Sequence, residues 1–334
     1  MRKAAIGLLI LALLLFAYLS RNAFIISPVQ KNNKPVEKPL DKYTFERLRQ
    51  KIIEPSEITI GNVVLEDKTI TSYMFYFLTD GKKVSGLIHI PKREGTYPII
   101  VQFRGFVPKE KYTTGEGTKH SGELFARNGF ITLAPDFLGY GQSASPSANS
   151  IEERFETYTT GVSLLASLES LNKTLGSQSV AQADTQKIGI WGHSNGGHIA
   201  LSVVAIIEKP YPTVLWNPVT KPFPYSILYF TDDFDDHGKA LRRAVAQFEK
   251  DYDAELYSSS NFYNWITAPI LLQQAVDDEA VPLRWSDQFY SEMKKLGKDI
   301  EYFTYPGENH NFSKGSWSGI VQKDIAFFQS QFAK

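Results

Sequence analysis

From Glu57 onward the chain breaks into short β-rich runs: Ile58-Thr59-Ile60, Val63-Val64-Leu65, residues 71–78 and, after a turn at Asp80-Gly81, residues 84–90 ending at Pro91. Runs of this length bounded by turn residues predict antiparallel strands at one edge of a sheet. Ile99-Ile100-Val101-Gln102-Phe103 is continuously apolar, as a central strand covered on both faces must be. From there the pattern alternates. Helix 121–127 leads to strand 130–134, helix 151–171 to strand 188–191, and helix 197–207 to strand 213–216. A longer excursion, 218–266, contains a helical stretch over 239–252. It precedes strand 269–273, helix 285–296, strand 300–305 and a last helix over 319–332. Such alternation predicts an α/β fold with a mostly parallel central sheet, helices on both faces and a small cap insertion at 218–266. No internal repeat is visible.

The N-terminus follows another pattern. Arg2 and Lys3 precede an uninterrupted apolar run from Ala4 to Leu19, long enough for an export signal and at the lower limit for a membrane span. Tyr18, Leu19, Arg21 and Asn22 stand where a cleavage site needs small residues, so residues 1–26 are expected to be an uncleaved signal-anchor. The chain would then be membrane-anchored with its catalytic domain extracytoplasmic, or secreted if the signal is cut. Residues 27–56 are expected to be linker and lead-in. Pro28, Pro35 and Pro39 among Lys and Asn make the stretch from Ser27 to Asp41 an extended tether. Residues 57–334 form one large domain.

Composition removes some function classes. The 36 basic and 36 acidic residues cancel, so no charge draws the chain to nucleic acid. With no cysteine there are no disulfides and no thiolate metal sites.

The chemistry centres on Ile188-Gly189-Ile190-Trp191-Gly192-His193-Ser194-Asn195-Gly196-Gly197, read as strand, sharp turn and helix. Gly192-x-Ser194-x-Gly196 has the form of a nucleophile elbow, in which small residues let strand and helix close up while the serine takes a strained conformation. The following helix aims its first amides, starting with that of Asn195, at a substrate oxygen. Ser194 is the candidate nucleophile, and a serine nucleophile needs a base and an orienting acid. Downstream, strand 269–273 ends in Val276-Asp277-Asp278-Glu279-Ala280-Val281-Pro282, and strand 300–305 ends in Pro306-Gly307-Glu308-Asn309-His310. Asp277 and Asp278 compete for the role of acid. His310 is the only one of six histidines that follows them. His89 and His120 precede the elbow, His193 adjoins Ser194 and cannot easily turn back to it, His198 lies on the next helix, and His237 precedes the acid.

These motifs, with Ala134-Pro135-Asp136-Phe137-Leu138-Gly139-Tyr140-Gly141-Gln142-Ser143, resemble the catalytic domain of the prolyl oligopeptidase family of α/β-hydrolases over about residues 58–332. The resemblance implies an α/β-hydrolase fold and an acyl-enzyme mechanism with Ser194, Asp278 and His310. In the family's acid loop the aspartate stands three residues before the Val of a Val-Pro pair, which selects Asp278. No metal or organic cofactor is implied. The oxyanion hole would combine the amides of Asn195 and Phe106. Where many relatives have His-Gly, this chain has Arg104-Gly105. Arg104 and Tyr112 are candidate substrate-binding residues, although Arg104 could instead pair with Asp136 or another structural acid. The family's peptidases usually carry a β-propeller, for which this chain has no room, and short relatives are often esterases. The expectation is a serine hydrolase acting on small ester or peptide substrates. The rival is a catalytically silent hydrolase fold that serves as a membrane-tethered binding module.

Two patterns carry plainer readings. Asp232-Asp233-Phe234-Asp235-Asp236-His237 could be a metal loop, but aspartates ahead of a helix also cap it. Trp216, Trp265, Trp285 and Trp317 could line a sugar or acyl site, but aromatics of this size mostly fill core and rim.

Overall fold

The computed structural model describes residues 37–176 and 178–334. The expected signal-anchor and residues 27–36 of the linker therefore lie outside the described residues. Among the described residues no helix is long and apolar enough to cross a membrane.

The strands are β1 (Thr59–Glu66), β2 (Ile70–Thr79), β3 (Lys82–Pro91), β4 (Gly95–Phe103), β5 (Ile131–Pro135), β6 (Ala181–His193), β7 (Thr213–Trp216), β8 (Ile270–Ala275) and β9 (Ile300–Tyr305). The helices are α1 (Phe45–Gln50), α2 (Lys119–Arg127), α3 (Ser150–Ser167), α4 (Leu171–Leu175), α5 (Asn195–Ile207), α6 (Tyr225–Leu228), α7 (Lys239–Phe248), α8 (Leu283–Lys295) and α9 (Trp317–Phe332). The sheet runs β1-β2-β3-β5-β4-β6-β7-β8-β9. Pairing is antiparallel from β1 through β3 to β5 and parallel from β5 to β9.

Ile99, Ile100, Val101 and Phe103 of β4 are all fully buried, so this strand is covered on both faces. One face packs with Phe155 and Leu164 of α3, Ile199 and Val203 of α5, and Phe289 and Met293 of α8. The other packs Trp191 and Trp216 with Phe125 of α2 and Ile325 and Phe328 of α9. This is the α/β-hydrolase architecture with helices on both faces.

Two stretches differ from the sequence reading. β6 begins at Ala181, seven residues before the expected Ile188, and pairs with Gly95–Pro98 of β4 across a register shift at Pro98/Ile99. Along this first half small residues face the core: Ala181 and Ala183 are buried while Gln182, Gln186 and Lys187 are exposed, so no run of large apolar residues marks it. The lead-in is not extended throughout. Leu40, Tyr43, Phe45 and Leu48 are buried in the main core, and Phe45 stacks on Phe262 at 4.9 Å. Thr44 caps α1 by accepting from the Arg47 amide at 3.3 Å. Leu40–Lys334 forms one compact unit.

The excursion 218–266 holds α6, α7 and short 3-10 turns. Its Phe223 and Tyr257 pack on Phe155 of α3, with ring centroids 5.3 and 5.0 Å away. Asp236 caps α7, accepting from the amides of Gly238 at 2.8 Å and Ala240 at 2.7 Å, while Asp232 pairs with Arg242 at 2.7 Å. Trp216 and Trp285 are buried.

Candidate active site

Ser194 sits between β6 and α5 at φ 56°, ψ −119°, a conformation that costs a side-chain-bearing residue about 1–3 kcal/mol. The glycines around it permit the turn. A Cβ on Gly192 would come within 2.5 Å of the Gly196 carbonyl oxygen, and one on Gly196 within 1.9 Å of the Phe103 carbonyl oxygen. The turn is pinned from both sides: the Ser194 amide donates to Trp216 O at 2.9 Å, and Ser194 O accepts from Val219 N at 3.1 Å.

His310 follows β9. Its Nδ1 lies 2.8 Å from Oδ2 and 3.0 Å from Oδ1 of Asp278, whose side chain is fully buried. Asp278 Oδ1 also accepts from the amides of Ala280 at 2.8 Å and Val281 at 2.7 Å, so backbone donors set its carboxylate before histidine arrives. Asp277 turns elsewhere and accepts from Gly307 N at 2.8 Å. The structure thus brings Asp278, and not Asp277, to His310. The histidine loop is braced by buried Glu308. Burial opposes its charge, but the amides of Lys314 and Ser316 outweigh that and hold its carboxyl below the usual range.

Two residues that the sequence reading did not place here converge on the backbone of His310. His193 Nε2 donates to His310 O at 2.9 Å, and Asn217 Nδ2 donates to the same oxygen at 2.7 Å. Asn217 was findable only by its position, immediately after β7 at the carboxyl edge of the sheet, where sites in such folds lie. His193 is held neutral: burial, reinforced by repulsion from a charged His310, pushes its pKa down to about 4.

Asn195 is the first residue of α5, so its amide has no acceptor within the helix. Its side-chain oxygen accepts from Arg154 of α3, a contact that no sequence motif signals. Gly105 passes beside Ser194, since a Cβ on it would lie 3.2 Å from Ser194 Cβ. That places the loop after β4 next to Ser194. Phe106 follows with its side chain 66% exposed.

Arg104 and Tyr112 lie in a buried cluster. Arg104 is 5% exposed, and its guanidinium carbon sits 4.4 Å from the Tyr112 ring centre and 4.0 Å from that of Tyr140. It donates to the backbone oxygens of Gly105 at 3.0 Å and Asp136 at 3.1 Å. The Asp136 carboxylate accepts instead from Tyr112 Oη at 2.6 Å, Thr114 Oγ1 at 2.9 Å and Ser85 Oγ. Burial, and then the charge of Asp136, pushes the Tyr112 phenol up. Beyond this loop a cavity of about 380 Å³ is lined by residues 113–121, His193, Asn311 and Trp317, among others.

Among curated proteins the chain is 23% identical over 256 residues to the uncharacterized peptidase YtmA of Bacillus subtilis, covering 75% of this chain and 90% of that one. It is 26% identical over 278 residues to S-formylglutathione hydrolase of Arabidopsis thaliana, covering 76% and 90%. Acetyl xylan esterase 1 from Thermoanaerobacterium superposes with a TM-score of 0.59 at 16% identity, over 86% of this chain and 93% of that one. An acylaminoacyl peptidase gives 0.56 at 21% identity, over 80% of this chain but 42% of the other. These structural likenesses establish the α/β-hydrolase fold. Family membership follows from residues 117–334, which span Ser194, Asp278 and His310 and match the prolyl oligopeptidase family: the chain is a serine hydrolase of that family.

Proposed function

We propose that the chain hydrolyses ester or amide bonds of small substrates through an acyl-enzyme on Ser194. The observation that carries this reading is the short His310–Asp278 contact, on a loop hydrogen-bonded to the residue preceding the strained serine. In the proposed reaction Ser194 Oγ attacks the substrate carbonyl carbon and its proton passes to His310 Nε2. Asp278, at Nδ1, holds the ring and stabilises the imidazolium. The amides of Asn195 and Phe106 receive the oxyanion. His310 then protonates the departing alcohol or amine, and water repeats the sequence to release the acid. Arg104 positions the oxyanion loop in this reading, through the Gly105 carbonyl. Relatives named as an esterase, as S-formylglutathione hydrolase and as peptidases support both bond types.

The test compares the full chain with Ser194→Ala in labelling by a fluorophosphonate, and in hydrolysis of p-nitrophenyl acyl esters and aminoacyl-prolyl amides. Serine-dependent labelling with ester turnover alone assigns an esterase, and amide cleavage a peptidase. A folded wild type that neither labels nor turns over removes the catalytic reading. The apolar run at residues 4–19 supports display of the catalytic unit on an extracytoplasmic membrane surface. Recovery of the intact chain in the soluble cytoplasmic fraction would end that proposal.

A further inference from the structure

We infer that His193 and Asn217 are positioning residues: by gripping one backbone carbonyl, that of His310, they fix the imidazole relative to Ser194. The inference rests on His310 acting as the base.

Both donors belong to the framework that holds the nucleophile. His193 is the last residue of β6 and is covalently joined to Ser194. Asn217 follows Trp216, the residue whose carbonyl accepts the Ser194 amide at 2.9 Å. A closed circuit results, from Ser194 through its amide to Trp216, on to Asn217, across to His310 O, and back through His193 to Ser194. Asn217 is itself fastened at two further points. Its amide donates to Gln273 O at 2.9 Å, and its Oδ1 accepts from Ala275 N at 2.7 Å. It adopts φ 44°, in the left-handed region where asparagine is among the better tolerated side chains. One buried side chain thereby ties the ends of β7 and β8 to the histidine loop.

His193 adds a second constraint. Its ring lies against that of His310 with centroids 4.7 Å apart and planes tilted by 37°. The ring is neutral near pH 7 and carries a single N–H, and a carbonyl at Nε2 requires that the proton sit there. A carbonyl oxygen has two lone pairs, and here each meets a donor. The backbone of His310 can shift away from Ser194 only by breaking both bonds. Asp278 governs the tilt of the imidazole from Nδ1, while His193 and Asn217 govern where its backbone stands. A misplacement of about 1 Å between reacting groups costs about 100-fold in rate, so both constraints reach the chemistry.

Three variants of the full chain test this: His193→Phe, which keeps a ring and removes the donor; His193→Gln, whose amide places an N–H near the former Nε2; and Asn217→Asp, which keeps an oxygen for Ala275 N and removes the donor to His310. The readouts are kcat and KM on p-nitrophenyl acetate, the second-order rate of fluorophosphonate labelling, and the melting temperature. His193→Phe and Asn217→Asp are expected to lower kcat and the labelling rate by about 10- to 100-fold, with KM held within about threefold. His193→Gln is expected to recover most of the loss. Wild-type rates in a folded His193→Phe, or equal losses in His193→Phe and His193→Gln, overturn the inference. If His193→Phe does not fold, unchanged kcat in Asn217→Asp overturns it. A wild type that fails to label removes the reading of Ser194 and His310, and this inference with it. A labelled wild type with unimpaired variants removes this inference alone.

Discussion

On the His310 side of Ser194, side chains hold the loops by short bonds to the backbone: Asp278 to the amides of Ala280 and Val281, Glu308 to those of Lys314 and Ser316, and Asn217 to Ala275 at the end of β8 and to His310. On the other side, residues 104–118 are held by a buried cluster in which Arg104 lies between Tyr112 and Tyr140 and Asp136 collects hydroxyl groups. The first side is directional and local, since most donors sit within eight residues of their acceptors. The second joins residues distant in sequence, through ring faces and a charge. Rigidity of the first kind fixes angles, which is what the proposed role of His310 as general base would need. That of the second kind fixes a volume, which would suit the proposed role of the loop in presenting one amide to an oxyanion.

The largest effects separate the two sides by mechanism. Ser194→Ala should lower kcat by about 10⁴- to 10⁶-fold and abolish fluorophosphonate labelling, while melting close to the wild-type temperature, because alanine keeps the Cβ and with it the backbone strain at this turn. Asp278→Asn should cost about 10²- to 10⁴-fold in kcat with intact folding, since asparagine presents the wrong hydrogen-bonding group to Nδ1. Asp277→Asn, which touches only the Gly307 amide, should stay within a few-fold of wild type. If steady-state kinetics showed Asp277→Asn to be the more damaging change, the reading of the His310 side would be wrong.

Acid should loosen the molecule through buried imidazoles. Burial pushes the pKa of His193 down to about 4 and those of His89 and His198 to about 3, the latter two helped by Lys119 and Arg154 respectively. Between pH 6.5 and 4 the unfolded chain binds a proton on each ring that the folded chain refuses, so stability falls as pH falls. Asp324 works in the opposite sense. Its burial raises the carboxyl well above the usual range, so the folded chain keeps a proton that the unfolded chain has released. Three groups against one leave at most about 3 kcal/mol lost per pH unit across this window. Urea melts at pH 6.5 and 4.5 should show the midpoint dropping. His198→Gln, which loses one titrating group, should flatten the slope.

The strand-ending loops that carry Ser194, Asp278 and His310 were legible because each is written within a dozen contiguous residues, as an apolar run followed by turn chemistry. The alternation of buried strands and helices was legible for the same reason. What escaped the sequence depends on contacts between distant positions. Asn217 and His193 converge on His310 from 93 and 117 residues away. Arg154 reaches Asn195 from another helix, and the lead-in residues Phe45 and Leu48 find their partners in the 218–266 excursion and α5. The start of β6 escaped because its inward-facing residues, Ala181 and Ala183, are small and alternate with polar ones. Arg104 meets Asp136 at the backbone oxygen and not at the carboxylate, which is taken by Tyr112, Thr114 and Ser85, so the pairing with a structural acid is not the one formed.

Arg104 gives the finest test of the comparison. As a substrate-binding residue it would raise KM for carboxylated substrates when removed and leave neutral ones alone. Buried between two tyrosines with both terminal nitrogens on backbone oxygens, it should behave otherwise. Arg104→Met removes cation–π contacts to two rings and leaves the Gly105 and Asp136 carbonyls without a donor, for a loss of about 2 kcal/mol in stability. Freed of that bond, Gly105 lets the Phe106 amide drift from the oxyanion, and kcat should fall about tenfold for neutral and carboxylated p-nitrophenyl esters alike, with KM nearly unchanged. Urea unfolding read beside the two ester series decides between the roles. A KM rise confined to the carboxylated ester, with stability intact, would move Arg104 out of the scaffold and into the substrate pocket, and the loop side of the site would then be a recognition surface rather than a brace.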